Sequence, residues 1–146
     1  LRFSNLKIKM AEKLIGTWTF VESENFDAYM KEVGVGMVTR TMANKLKPTL
    51  TFSKEGDKWK IVSHSTFKTH VTEFTIGQEF DETTGDGRVL KSIFTIEGDK
   101  LIQVEKPIKK EDKESRFERY VDENGHLIII CQSGNVKCRR VYKKAE

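Results

Sequence analysis

The segment that decides the fold is Val136-Lys137-Cys138-Arg139-Arg140-Val141-Tyr142, close to the end of the chain. In a β-strand successive side chains point to opposite sides, so Cys138, Arg140 and Tyr142 would share one side of this segment. Neither side is simply apolar, whereas a strand of a small antiparallel domain usually has one apolar and one solvated side. Arg140 and Tyr142 could together hold a carboxylate, because arginine offers a fork of N–H donors and tyrosine a hydroxyl. The plainer interpretation of this segment alone is an exposed basic strand.

The length and charge of the chain limit the classes of protein to which it can belong. Its 146 residues correspond to one domain, large enough for a core or for a core that encloses a cavity. Lysine and arginine number 26 against 22 acidic residues, a net charge of +4. Nucleic-acid binding usually requires a more concentrated basic patch, so we expect no nucleic-acid partner.

The cysteine content and the absence of targeting signals indicate a compartment. No apolar run in the sequence approaches membrane-spanning length, and no signal-peptide pattern is present. Two cysteines without a secretory signal favour a reducing environment, so we expect a cytoplasmic location.

The first residues differ from the rest in their expected importance. The sequence begins with Leu1, while Met10-Ala11-Glu12-Lys13 resembles a natural start. We therefore expect residues 1–9 to be an added or dispensable extension, and residues 10–146 to form the domain.

One strand and two short helices are predicted near the start of the domain. Gly16–Glu22 alternates and is rich in β-forming residues, which predicts the first strand. Asn25 is a predicted N-cap, and Gly34 a predicted C-terminal stop, for a helix whose apolar residues recur at helical spacing: Phe26, Tyr29, Met30 and Val33. A second helical pattern covers residues 37–44 and cannot continue through Pro48. Two helices this close form a helical hairpin.

All of the remaining chain has the pattern of β-strands. Glycine-, asparagine- and aspartate-rich turns separate most of them. The predicted strands are Thr49–Ser53, Trp59–Ser65, Thr69–Thr75, Gln78–Glu82, Arg88–Ile96, Leu101–Lys106, Ser115–Val121, Leu127–Gln132 and Val136–Lys143. With the first strand they predict an all-β fold, a ten-stranded antiparallel up-and-down barrel or clam with a helix-turn-helix lid after strand one.

The last predicted hairpin fixes which residues of its two strands face each other. If Gly134-Asn135 is a two-residue turn, Cys131 lies opposite Cys138 and Ile129 lies opposite Arg140. The two thiols are expected to be free and buried, with a cross-strand disulfide under oxidation as the alternative.

The hairpin before it has two possible registers. A three-residue loop at Glu123–Gly125, with a left-handed glycine, places Arg119 opposite Ile129. Arg119 and Arg140 then lie in one row, two strand spacings apart, or roughly 9–10 Å. A tight Asn124-Gly125 turn would instead send Arg119 to the other face. The three-residue loop is favoured if the inner face lines a cavity for an acidic ligand.

From Ala11 to its end the chain resembles the intracellular lipid-binding proteins, specifically the cytosolic fatty-acid-binding proteins of the heart, adipocyte and myelin branch. The residues that carry the resemblance are Gly16-Thr17-Trp18, Ser23–Gly36, Ser65-Thr66-Phe67-Lys68, Gln78–Glu82 and Arg140-Val141-Tyr142. This resemblance implies a lipocalin- or calycin-like β-clam over residues 10–146 whose cavity binds one long-chain fatty acid. It also implies a monomeric cytoplasmic transport protein that is not an enzyme and needs no cofactor.

The resemblance also implies roles for individual residues. Arg140 and Tyr142 match the carboxylate-binding pair, and Arg119 matches a second interior arginine, with a surface ion pair as its alternative role. Phe67 matches a gating phenylalanine, with an ordinary core aromatic as the alternative. Further positions match or adjoin the portal and the cavity wall: Tyr29, Met30, Pro48, Asp86, Arg88, Ile129 and Cys131. For the helix residues Tyr29 and Met30, packing onto the barrel rim is favoured over direct contact with the ligand.

The chemistry of a fatty acid fits such an interior. Each buried methylene contributes about 0.8 kcal/mol, so a palmitate-length tail offers on the order of 10 kcal/mol before the costs of association. A buried carboxylate is costly alone and tolerable when it is paired with arginine. A carrier of retinoids or other hydrophobic ligands on the same fold is the alternative. A nucleic-acid-binding barrel would instead place Arg119, Arg140 and Tyr142 outside.

Basic residues are expected around the portal, where they could bring the protein transiently to an anionic membrane. The alternative is an ordinary solvated face. These residues are Lys31, Arg40, Lys45, Lys47 and Lys68.

No motif of catalysis or metal binding occurs in the sequence. The histidines, His64, His70 and His126, are too scattered for a metal site. No nucleophile elbow, phosphate loop or paired-carboxylate motif is present, so we expect neither an enzyme nor a metal.

Overall fold

The computed structural model describes residues 2–146, and their side chains from Asn5 onward. The chain begins with helix α1 (Arg2–Ala11) and a 3₁₀ turn (Glu12–Leu14), followed by strand β1 (Gly16–Glu24). The helical hairpin consists of α2 (Phe26–Glu32) and α3 (Met37–Ala43). The other strands are β2 (Thr49–Glu55), β3 (Lys58–His64), β4 (Thr69–Thr75), β5 (Phe80–Thr83), β6 (Val89–Glu97), β7 (Lys100–Pro107), β8 (Ser115–Val121), β9 (Leu127–Ser133) and β10 (Val136–Lys144).

The ten strands form one antiparallel sheet in the order β4-β3-β2-β1-β10-β9-β8-β7-β6-β5. The order follows the chain except that β1 pairs with β10, which rolls the meander into a nearly closed barrel. Strands β4 and β5 stand at the two ends of the order, and aromatic rings fill the seam between them. The rings of Phe74 and Phe94 stack with centroids 3.6 Å apart, and Phe80 lies against Phe94 at 6.2 Å. The predicted fold class is confirmed.

The lid hairpin is held by the turn between its helices. Gly34 has a φ of 93°, which favours glycine. Its N–H donates to the carbonyl of Lys31, and the N–H of Val35 donates to that of Met30. These two bonds form a Schellman motif, which satisfies the last carbonyls of α2. Gly34 therefore ends α2 as predicted.

The predicted N-cap of α2 is wrong in its chemistry. Asn25 occupies the N-cap position, but its side chain makes no capping hydrogen bond, and its backbone is left-handed with a φ of 65°. The Asn25 Nδ2 donates instead to the carbonyl of Lys137, at 3.0 Å. This side chain ties the start of the lid to β10.

The N-terminal segment closes one end of the barrel. Ala11 and Leu14 are buried, and the Nε1 of buried Trp18 donates to the Leu14 carbonyl at 2.9 Å. Helix α1 packs against β6 and β7, and it crosses the boundary expected between residues 9 and 10. Among residues 2–146, no helix is both long enough and apolar enough to span a bilayer.

Both predicted hairpin registers are present. Cys131 lies opposite Cys138, and Ile129 lies opposite Arg140. In the preceding hairpin the N–H of Asp122 donates to the carbonyl of His126, which leaves a three-residue loop with Gly125 at a φ of 79°.

That loop decides the side on which the second arginine lies. Arg119 pairs with Ile129, which pairs with Arg140 on its other side, so the three residues form one row on the inner face.

Candidate functional site

The barrel encloses a cavity of about 390 Å³ beneath the lid. Its wall combines residues of α2 and α3 with the inner faces of strands from all around the barrel. The structure brings every sequence-predicted site residue to this wall: Arg140, Tyr142, Arg119, Tyr29, Met30, Pro48, Phe67, Asp86, Arg88, Ile129 and Cys131. Their roles toward a ligand stay predictions.

Arg140 and Tyr142 form a hydrogen-bonded pair on the inner face of β10. The Arg140 Nε and Nη2 donate to the Tyr142 hydroxyl oxygen at 3.3 and 3.2 Å, and Nη1 donates to the Ser23 Oγ at 3.1 Å. The exposed fractions of Arg140 and Tyr142 are 8 % and 2 %. The guanidinium lies 4.0 Å from the centre of the Phe26 ring and 5.0 Å from that of Phe20, so π-faces replace part of its hydration.

Tyr142 stays protonated, and its hydroxyl can donate a hydrogen bond. Burial raises the pKa of Tyr142 and outweighs the opposing effect of the Arg140 charge. Because the arginine donates to the lone pairs of the hydroxyl, the O–H itself remains free to donate to an anion. The pair therefore presents guanidinium and hydroxyl donors to one acceptor.

Arg119 faces the same cavity from β8, so its alternative role in a surface ion pair is wrong. Its Nη2 donates to the Gln103 Oε1 at 2.8 Å, while its Nη1 is buried and has no hydrogen-bond partner within residues 2–146. The rings of Phe94 and Phe117 lie 5.5 and 5.3 Å from the guanidinium carbon. Burial lowers the pKa of Arg119, but a guanidinium stays charged in proteins. Buried N–H donors normally have hydrogen-bond partners, so this one can receive an acceptor such as a ligand oxygen.

Two buried carboxyl groups that the sequence analysis missed also line the cavity: Glu82 on β5 and Glu105 on β7. Gln103 links them to the arginine row, because its Nε2 donates to the Glu82 Oε1 and to the Ser92 Oγ, both at 2.9 Å. Burial, followed by the hydrogen bond and the charge of the neighbouring Glu82, raises the pKa of Glu105 to about 9. Glu105 is therefore a neutral acid at pH 7. The only sequence signal was alternation, which places Gln103 and Glu105 on the same side of their strand.

Tyr29 connects the lid to this carboxyl pair. Its hydroxyl donates to the Ser115 Oγ at 2.8 Å, and Ser115 lies directly opposite Glu105 in the β7–β8 pairing. Burial raises the pKa of Tyr29, so its hydroxyl stays neutral. The buried side chain of Tyr29 therefore connects α2 to the barrel wall and also lines the cavity.

The portal contains an ion pair that stiffens its rim. The Arg88 Nε and Nη2 donate to the two carboxylate oxygens of Asp86 at 2.7 and 3.0 Å, and the Thr84 Oγ1 donates to the same group at 2.7 Å. Burial alone would raise the pKa of Asp86, but the hydrogen bonds from Arg88 and Thr84 outweigh it and lower the pKa. Phe67 is 60 % exposed at the mouth, so its alternative role as a core aromatic is wrong.

One of the basic residues predicted at the portal rim, Arg40, is not a free surface charge, and the role of the others stays a prediction. The Arg40 Nε pairs with Asp27 at 3.2 Å, its Nη1 donates to the Val35 carbonyl at 2.7 Å, and its side chain is 14 % exposed. Arg40 is therefore a brace within the lid, because an adjacent carboxylate and carbonyl satisfy it better than solvent does. The other members remain exposed around the mouth: Lys31, Lys45, Lys47 and Lys68.

The two cysteines form a buried cross-strand pair, and both thiols are free. The hydrogen bond with Cys138, together with burial, raises the pKa of Cys131 well above its ordinary value. Cys131 is therefore an uncharged thiol in the cavity wall, which suits a wall that contacts an apolar tail.

Comparisons with known proteins agree with this geometry. Residues 15–145 match the model of the lipocalin / cytosolic fatty-acid binding protein family. The chain is 49 % identical over 133 residues to fatty acid-binding protein homolog 6 of Caenorhabditis elegans, covering 91 % of this chain and 98 % of that protein. It is 43 % identical over 136 residues to the adipocyte fatty acid-binding protein of Pygoscelis papua, covering 93 % and 100 %. A solved structure of the Schistosoma mansoni fatty acid binding protein in complex with arachidonic acid matches at 35 % identity and a TM-score of 0.86, covering 94 % of this chain and 99 % of that chain.

Proposed function

The chain belongs to the lipocalin / cytosolic fatty-acid binding protein family, and on that basis we propose that it binds a long-chain fatty acid in its cavity and transports it inside the cell. It is a carrier and not an enzyme. The observation that carries the proposal is the Arg140–Tyr142 pair, buried in the wall of an otherwise largely apolar cavity.

The pair accounts for recognition of the head group. A ligand carboxylate would accept hydrogen bonds from the Arg140 guanidinium and the Tyr142 hydroxyl, and the unpartnered N–H of Arg119 supplies a third donor. Charge-assisted hydrogen bonds of this kind are about twice as strong as neutral ones. They also offset the cost of taking the carboxylate out of water.

The apolar wall accounts for binding of the tail. Met30, Leu50, Ile61 and Ile129 line the cavity. Each methylene that leaves water contributes about 0.8 kcal/mol. The head group therefore sets the orientation of the ligand, and the tail supplies most of the affinity.

The mouth of the cavity has the chemistry of a surface that meets membranes. We infer a monomeric cytoplasmic carrier that touches anionic membranes transiently through Lys31, Lys45, Lys47 and Lys68. Met37 and Val38 in α3 are 72 % and 81 % exposed, so apolar side chains stand beside these charges. This combination favours weak interfacial contact that salt reduces.

The test of the proposed function is a titration of the delipidated protein with oleate, retinoic acid and retinol. We expect oleate to bind, and we expect Arg140→Gln to weaken oleate binding by roughly 10–100-fold, the range for a lost hydrogen bond to a charged group. Arg139→Gln is the matched control, because Arg139 is the neighbouring arginine on the opposite side of β10. Retinol binding without oleate binding would support a retinoid carrier instead. Equal oleate affinities of the two variants would contradict the assignment of the head-group site.

A further inference from the structure

The Glu82–Glu105 pair lies in the cavity, and the proposed head-group site does not use it. Glu105 is 4 % exposed and Glu82 is 9 % exposed, and both border the same cavity as Arg140. Carboxyl groups in such surroundings are costly unless their polar atoms have partners. A ligand carboxylate placed beside these two groups would lie against further carboxyl oxygens. The pair therefore needs a different chemical explanation.

The hydrogen-bonding capacity of this region is both donating and accepting. Glu105 is a neutral acid that is hydrogen-bonded to Glu82, and the carboxyl oxygens of both groups keep lone pairs for an O–H donor. The charge of Arg88 acts on Glu105, and Arg88 has a buried Nη1 without a partner in the described part of the chain. That N–H group can donate to a ligand oxygen, while the unpartnered N–H of Arg119 remains for the carboxylate. A hydroxyl group both donates and accepts, so it matches this combination, whereas an anion does not.

The position of the pair places it along the ligand tail. The backbone of Glu105 is four residues along β7 from Leu101, which lies opposite Arg119, and so is roughly 13 Å from the backbone of the arginine row. The side chain of Gln103 bridges part of this distance, between Arg119 and Glu82. A fatty acid held by its carboxylate at Arg140 would reach the pair with its tail carbons. Tyr29 and Ser115 are beside Glu105 and fix the lid over this part of the cavity.

We propose that Glu82 and Glu105 form a second polar subsite that binds a hydroxyl group on the tail of the ligand, so that the protein carries hydroxylated long-chain fatty acids. This inference rests on the proposed function, since it needs the carboxylate at Arg140. The first polar site consists of an arginine and a tyrosine and the second of two carboxyl groups, and this difference in chemistry fixes the direction of the ligand.

The experiment compares stearate with a series of monohydroxystearates whose hydroxyl is moved along the chain, by competitive titration. The proteins are the wild type, Glu105→Leu and Glu105→Gln. Leucine removes donor and acceptor at similar volume, whereas glutamine keeps both in a neutral group. For hydroxyls in the tail half, we expect the ratio of the hydroxystearate Kd to the stearate Kd to rise about tenfold in Glu105→Leu, because a buried ligand hydroxyl loses its partner. The ratio should stay within about twofold of the wild type in Glu105→Gln.

Three outcomes are distinct. If the wild type binds no stearate, the proposed function fails. If stearate binds but the ratio is the same in the wild type and Glu105→Leu at every hydroxyl position, the subsite is overturned. If Glu105→Leu does not fold, the carboxyl carbon resonance of Glu105 in the wild type replaces it. That resonance must shift with a hydroxystearate and not with stearate, and an equal response to both ligands also overturns the subsite.

Discussion

Replacing Glu105 by glutamine should stabilise the protein, and the gain should grow with pH. In the folded protein, burial and the neighbouring Glu82 raise the pKa of Glu105 from 4.5 to about 9. In the unfolded chain its pKa returns to the ordinary value. Between these two values the folded state holds one proton more than the unfolded state, so the stability of the wild type falls as the pH rises. The stabilisation that comes from the proton on folded Glu105 is fully present below the unfolded pKa of 4.5. It is lost progressively as the pH rises to the folded pKa of about 9. Glutamine does not titrate, so the Glu105→Gln variant does not lose stability in this way as the pH rises.

The expected size follows from the single proton. One proton of difference changes the free energy of unfolding by about 1.4 kcal/mol per pH unit. Between pH 6 and pH 8 the difference between Glu105→Gln and the wild type should therefore grow by about 3 kcal/mol. For a chain of this length that corresponds to roughly 6–12 °C in Tm. Titrating groups that do not interact with Glu105 are common to both proteins and cancel in the difference.

The assay is urea unfolding of delipidated protein across this pH range, followed by the fluorescence of the buried Trp18 and Trp59. Glu55→Gln, at the exposed end of β2, is the control and should show no comparable trend. A difference between Glu105→Gln and the wild type that stays flat with pH would mean that Glu105 is ionised in the folded protein. That result would refute the reasoning about the carboxyl pair.

Three further predictions concern other parts of the molecule. Deleting residues 1–9 should leave the oleate Kd within about twofold by titration, because none of residues 5–9, whose side chains the structure describes, lines the cavity, and a functional loss would refute their dispensability. Gly34→Ala should lower the free energy of unfolding by about 1 kcal/mol in urea, since its φ of 93° is strained for alanine, and an unchanged stability would contradict this. Transfer of a fluorescent fatty acid to anionic vesicles should slow with added salt, and Lys45→Gln with Lys47→Gln should weaken that dependence. A rate indifferent to ionic strength would argue against membrane contact through these lysines.

The strands were predictable because their signals are local. Alternation and glycine-containing turns place β4 and β8 at their predicted bounds and most other strands within two residues. The start of β5 was predicted at Gln78 but lies at Phe80. The Gln78 N–H donates to the Thr75 carbonyl, so a turn occupies the residues that the alternation assigned to the strand. Alternation does not tell whether a residue has a partner strand.

The features of the lid and the N-terminus that were missed depend on distant contacts. Asn25 fits the local pattern of an N-cap, but its side chain donates a hydrogen bond to the carbonyl of Lys137, which is distant in the sequence. From the sequence, Arg40 was predicted to be a surface charge. In the structure it contacts Asp27 and the carbonyl of Val35, which the sequence pattern does not show. Helix α1 owes its position to packing against β6 and β7.

The candidate site was predicted where it lies within adjacent hairpins. The row of Arg119, Ile129 and Arg140 followed from the geometries of two turns. Its role in binding a carboxylate was predicted from the resemblance to a known family. The carboxyl pair could not be found in this way. Glu82 and Glu105 lie on strands that are separated by β6, so only the curvature of the barrel and the side chain of Gln103 bring them together.

The raised pKa of Glu105 also affects how the cavity receives an anion. An ionised Glu105 would set a negative charge against a ligand carboxylate in a medium of low dielectric constant. Because burial and the neighbouring Glu82 raise its pKa to about 9, Glu105 is neutral at pH 7 and does not oppose the attraction of Arg119 and Arg140 for the head group. The proton on Glu105 therefore favours an anionic ligand in this cavity, although Glu105 does not bind the head group itself.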